Sequence, residues 1–199
     1  PLAAMGAVLR DANPLRALLF IALIMLSSFM VIPYITLYSV ANVGIRQDDL
    51  YLLYLAGGTA NFFTSRRIGQ LTDRHGKVRV YRIVGFLALA PLLIQTHLPP
   101  VPLWLMVCVS TLFFIVVPGR MVPAMAIVTS AAPPRLRGTF LSIVGATQQF
   151  SVGVASYVGG LIIYQDAGGR IMRYDIVGYL AVAVALLAIA LAGRIRVQS

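Results

Sequence analysis

Glutamate is missing from this chain, and lysine occurs once, at Lys77. Only 11% of the 199 residues are charged, where an ordinary soluble domain carries about 25%. Too few charges remain to cover a water-facing surface. Catalytic chemistry needs paired carboxylates, a His cluster, or Ser with His at one depth. Six Asp and two His, both His in expected loops, do not supply such a set. The chain is therefore read as a non-enzyme. The single cysteine, Cys108, lies in an apolar run and cannot form an internal disulfide. No CxxC or zinc spacing occurs, so neither a metal nor a cofactor is expected. Short stretches of alternating polarity are also lacking, which excludes a β-barrel.

What is there is apolar. Hydrophobic residues make up 59% of the chain, and the mean hydropathy is +0.88. A helical crossing needs about 20 mostly apolar residues for the roughly 30 Å hydrocarbon core. Residues 17–45 are uncharged, as are 50–65 and 83–119. The last of these is too long for one crossing and is cut by Pro99, Pro100 and Pro102. Six spans result, near 17–40, 50–67, 79–98, 102–130, 138–164 and 175–193. Span two is short, but Arg66 and Arg67 can snorkel to lengthen it. Only helices satisfy their own backbone in lipid along continuously apolar runs. The expected class is an all-α polytopic membrane protein, with residues 1–16 as a lead-in and Pro14 in the first turn of the first helix.

A net charge of +10 invites a nucleic-acid partner, but the basic residues sit at the ends of apolar runs. No nucleic acid is expected. Twelve basic residues fall at the N-terminus, between spans two and three, between four and five, and at the C-terminus, against three on the opposite side. Positive charge marks the cytoplasmic face, so both termini are expected inside. Small residues recur at Ala56, Ala60 and Thr64 on span two. On span five they recur at Gly145 and Gly153 around Gln149, with Ala155 and Gly159 beside them. Such stripes mark close helix packing.

The most specific pattern follows span two: Gly69, Leu71, Asp73, Arg74, Gly76, Lys77 and Arg79 at fixed spacing. It resembles the major facilitator signature G-x-L-x-D-R-x-G-R/K-x-R/K. Gly69 permits close packing, Gly76 permits a turn, and Asp73 is an anion for nearby basic groups or a helix N-terminus. His75 reads as a solvated loop residue. A second stretch, Pro118 to Met125 with Arg120 inside it, then Pro133 to Phe140 with Arg137-Gly138, is similar to arabinose-efflux-type bacterial permeases. Gln148-Gln149, the Gly153–Gly160 stretch, and Asn42-x-Gly44 before Tyr51 and Tyr54 fit the same group.

The resemblance implies half of a twelve-helix transporter, whose other half is a partner. The C-terminal half is expected: the chain lacks an initiator Met and stops soon after span six. The proline-containing antiporter motif of an N-terminal half is also missing from Val152–Leu161. Arg120, the sole charge inside a span and near mid-membrane, has two open readings. It is a substrate or coupling residue, or it bonds carbonyls freed near Pro118 and Pro123. Ser27, Tyr34 and Tyr38 share a face of span one, with Pro33 as a kink. By the resemblance, Tyr34, Tyr38 and Arg120 line a central cavity that Gln148 and Gln149 reach. Interhelical hydrogen bonding is the other reading for these four. Met121 and Met125 read as packing residues. The implied function is ion-coupled efflux of a small organic solute across a bacterial inner membrane, with uptake on the same architecture as the alternative.

Overall fold

The computed structural model describes residues 11–196; residues 1–10 of the expected lead-in, with Arg10, lie outside them. Helix α1 (Ala12–Phe29) begins five residues before the expected span. Asp11 caps it by accepting the Asn13 N–H at 2.9 Å, and Pro14 falls in the first turn, where its missing N–H costs nothing. Pro33 does interrupt the rod. A 3-10 turn (Ile32–Tyr34), helix α2 (Ile35–Tyr38) and a π turn (Ser39–Val43) follow, ending at Gly44 with φ 84°.

Helix α3 (Leu50–His75) is 26 residues long, about 39 Å at 1.5 Å per residue. It runs through most of what the sequence suggests is a loop. The chain reverses at Gly76 alone, with φ 88°, a left-handed value that a Cβ would resist. Helix α4 (Lys77–Thr96) starts at the next residue. The seven signature positions are therefore the end of one helix, a one-residue joint and the start of another.

The expected fourth span is two helices, α5 (Leu103–Gly119) and α6 (Met121–Thr129), broken at Arg120. Pro123 has no N–H for the carbonyl of Gly119, so the helical ladder loosens there. Helix α7 (Arg137–Ile162) leads to a hairpin that the all-α expectation does not contain, and α8 (Tyr174–Ala192) closes the chain. In the hairpin β1 (Tyr164–Gln165) pairs antiparallel with β2 (Ile171–Met172). Asp166 Oδ1 accepts the N–H groups of Gly168 and Arg170 in its turn.

Four stretches are long and apolar enough to cross a membrane: Ala12–Val43, Lys77–Thr96, Leu103–Thr129 and Tyr174–Ala192. Helices α3 and α7 match them in length and are more polar. α3 carries Arg66, Arg67, Asp73 and Arg74, and α7 carries Arg137, Gln148 and Gln149. In the bundle α3 packs mainly on α5, α1 on α7 and α8, and α4 on α8 and α5. Glycines set the closest approaches. A Cβ on Gly57 would lie 2.6 Å from the Phe114 ring, and one on Gly119 would lie 2.8 Å from Ile68. The expected stripe on α7 is only partly a packing stripe. Ala155 and Gly159 are buried, whereas a Cβ on Gly145 or Gly153 would meet nothing within 4 Å.

Two buried apolar clusters fill the bundle. One gathers Ile35, Leu53, Leu92, Phe113 and Val177, the other Phe20, Ile24, Ala124, Phe140 and Ala188. Polar side chains tie both ends. Asn13 donates to the carbonyls of Ala131 and Arg196 and accepts the Arg196 N–H, joining three chain segments. At the other end Asn42 accepts the Ile171 N–H at 2.7 Å and donates to the Ile171 carbonyl at 2.8 Å, clamping the hairpin to the first rod. Asn42→Ala removes both bonds, each worth about 0.5–1.5 kcal/mol. Hydrogen exchange at the Ile171 amide is expected to rise about tenfold, with α8 amides unchanged.

Candidate functional site

Arg120 is completely buried at the α5–α6 break. Its Nη2 donates to Ser27 Oγ at 2.5 Å, to Ser28 Oγ at 2.7 Å and, more distantly, to the Ile24 carbonyl at 3.5 Å. These acceptors lie at the end of α1, where both hydroxyls also turn back toward the Ile24 carbonyl. Serines bonding a carbonyl three or four residues back loosen a helix, and α1 ends one residue later. The polar group therefore sits where both rods are interrupted. Val117 before Arg120 belongs to one apolar cluster and Ala124 after it to the other. Nε and Nη1 make no hydrogen bond with the described residues, nor does the buried Tyr81 hydroxyl. Serines 92 and 93 residues away in sequence, rather than the carbonyls freed by Pro118 and Pro123, hold the side chain.

The other expected pathway residues are not gathered around Arg120. Tyr34 donates its hydroxyl to the Ser156 carbonyl at 2.6 Å, and its ring fills the notch at Gly159 and Gly160 on α7. Tyr38 is buried, donates to the Leu98 carbonyl at 3.1 Å and packs on Tyr174 with ring centroids 4.8 Å apart. Gln148 is half-buried, with Nε2 3.8 Å from Met125 Sδ, and Gln149 is exposed. Both tyrosine hydroxyls thus bond backbone carbonyls of other segments. A contact the sequence does not reveal joins Thr36 to the Tyr54 hydroxyl between the first rod and α3. The Tyr54 ring also packs on Phe114 at 5.4 Å.

The signature positions surround the α3–α4 joint. Gly69 faces Val122, where a Cβ would find 3.8 Å. Lys77 Nζ donates to Ser130 Oγ at 2.5 Å, linking the joint to the end of α6. Leu71, Asp73, Arg74 and Arg79 are exposed, and among the described residues Asp73 forms no ion pair. A family model described as Major Facilitator Superfamily matches residues 17–198.

The chain belongs to the major facilitator superfamily. No curated protein is similar enough to the chain to count as a match. Membership places this protein among membrane transporters, and its apolar helices fit that class. The superfamily signature here is a one-residue turn: a left-handed glycine between two long helices, with Lys77 bonded to the end of the helix that follows Arg120. The second basic stretch is more open. Arg137 and Gly138 begin α7, exposed, with nothing within 4 Å of a Cβ built on Gly138.

Proposed function

We propose that this protein is a secondary active transporter that exports a small organic solute, coupled to an ion gradient, by alternating access. The observation that carries the reading is a pair of polar contacts, one at each end of α6. Lys77 at the α3–α4 joint bonds Ser130 at its C-terminal end, and Arg120 at its head bonds the serines of α1. Movement at the joint has a stiff route to mid-membrane, because α6 is a packed helix between two polar latches. Substrate binds near the midplane between two six-helix halves, of which this chain is the C-terminal one. All six long helical stretches cross the membrane in this reading. Arg120 couples the break in α5–α6 to the break in the first rod, and Gln148, Gln149, Tyr34 and Tyr38 belong to the pathway wall. Arg137 and Gly138 form the second cytoplasmic turn.

The test uses cells with and without the complete protein, loaded with a panel of radiolabelled small organic compounds. Lower accumulation of one compound, restored by a protonophore or sodium ionophore, is the expected result. Higher accumulation would assign uptake instead, and no difference across the panel would remove the transport reading.

Topology is tested separately. Basic residues mark the inner face, so the Asp73 and Arg137 turns are cytoplasmic, as are both termini, in a bacterial inner membrane. Asp48, His97 and Asp166 lie outside. Single cysteines at these positions, in a background where exposed Cys108 is replaced by serine, are expected to react with an impermeant thiol reagent on intact cells only at 48, 97 and 166. Labelling of residue 73 from outside would invert the arrangement.

A further inference from the structure

A groove of about 480 Å³ opens between the C-terminal half of α3 and the N-terminal half of α4, floored by α5. Its volume is within the range of about 300–1,000 Å³ typical of small-molecule sites. Leu71, Ile83 and Leu87 form exposed apolar rims, and Val116 lies on the floor. Three nitrogen-bearing side chains, Arg67, His75 and Arg79, also line it. His75 ends α3 and Arg79 lies in the first turn of α4, so these two lie at the Gly76 joint, whereas Arg67 lies about 12 Å back along α3. No acidic side chain lines the groove. The sole ion pair among the described residues, Arg46–Asp48, lies in the turn before α3, at its opposite end. An apolar trough with a cationic end matches an amphipathic anion. Basic pockets between membrane helices on the cytoplasmic side suit phospholipid headgroups, and the exposed Leu and Ile rims suit an acyl chain.

We propose that this groove holds an anionic phospholipid of the inner leaflet, one acyl chain along its apolar wall and the headgroup between Arg67 and the His75–Arg79 end. The leaflet rests on the orientation proposed above; the binding does not. His75 and Arg79 flank the one-residue joint, so a bound lipid braces α3 against α4 where the signature bends. Anionic lipid thereby sets how readily the joint moves. Arg66 and Arg82 lie on the same two helices outside this groove and supply an internal control of equal charge.

Native mass spectrometry of the purified complete protein in detergent, titrated with phosphatidylglycerol, phosphatidylcholine or glycerol phosphate, tests the proposal. Micelles have no leaflets, so a reversed topology would leave this result unchanged and would appear only in the thiol labelling. One tightly held phosphatidylglycerol is expected, preferred over phosphatidylcholine by about tenfold. Arg67→Gln/Arg79→Gln should abolish that preference, whereas Arg66→Gln/Arg82→Gln should keep it. Val84→Trp, which fills the trough, should weaken retention while leaving every charge in place. Equal retention of the two lipids in the unmodified protein, or equal loss in both double variants, would overturn the proposal. Glycerol phosphate bound as tightly as the lipid would assign the basic cluster to a free anion instead. A photo-reactive phenylalanine at position 87 in membranes should crosslink lipid; capture of another protein segment, or of a second copy, would give the groove to that segment and end the lipid assignment.

Discussion

Arg120→Lys is expected to lower transport per inserted molecule by about tenfold or more. One guanidinium nitrogen serves Ser27, Ser28 and the Ile24 carbonyl together. Arginine keeps its charge when buried and presents a flat fork of donors, whereas lysine offers a point charge on a shorter reach. Hydrogen bonds to a charged group are worth about 1.5–3 kcal/mol each, and 1.36 kcal/mol is a factor of ten in rate. Losing one such bond as the helices rearrange therefore suffices for the expected drop. Ser27→Ala/Ser28→Ala should act in the same direction, because it leaves the buried cation facing one distant carbonyl. Flux and thermal unfolding measured on the same preparations separate the two roles open to this side chain. Normal flux in a less stable protein would make Arg120 a brace alone. Wild-type flux at wild-type stability would leave it no role.

How much of this was readable depends on whether the signal is local. The ends of the long helices are marked by charge, so Arg16, Arg137 and Arg194 bracket apolar stretches that the structure makes helical. Boundaries shift where a polar segment is also a good helix. Residues 68–75 carry the charges that suggested a loop, yet nothing in them breaks a helix before Gly76. The interruption at Pro33 was legible because proline removes a specific N–H. The hairpin after α7 was not: its two-residue strands depend on Asn42, 129 residues distant, and on the Asp166 turn.

The candidate site divides in the same way. Arg120 was visible as the lone charge in an apolar run, since ionisable groups there are rare and need partners. Its partners were not visible, because Ser27 and Ser28 are ordinary residues of a helix until the fold brings them together. Tyr34 and Tyr38 both lie on the first rod, where the spacing suggested a shared face. Their hydroxyls nevertheless reach Ser156 and Leu98, on or beside other helices, which no local pattern encodes. Lys77 was recognised as a signature position; its latch on Ser130 is a tertiary fact.

Gly159→Val is expected to destabilise the protein strongly where Gly153→Val, six residues earlier on α7, does not. A Cβ at 159 would lie 2.8 Å from the Tyr34 ring and 3.0 Å from the Met30 carbonyl oxygen. The ring can tilt, but the carbonyl belongs to the backbone at the interruption of the first rod and can move only with it. Overpacking of this kind costs about 1–3 kcal/mol. Displacing the ring also strains the Tyr34–Ser156 hydrogen bond, worth about 0.5–1.5 kcal/mol. Helix propensity opposes the loss only weakly, since valine is better than glycine by a few tenths of a kcal/mol, roughly. At Gly153 a Cβ meets nothing within 4 Å, so that small gain stands alone. Thermal unfolding in detergent should show Gly159→Val melting well below the parent and Gly153→Val at or slightly above it. Tyr34→Phe, which keeps the ring and removes the bond, should fall between them. Equal melting of the two glycine variants would mean that the first rod and α7 do not meet at the Tyr34 notch.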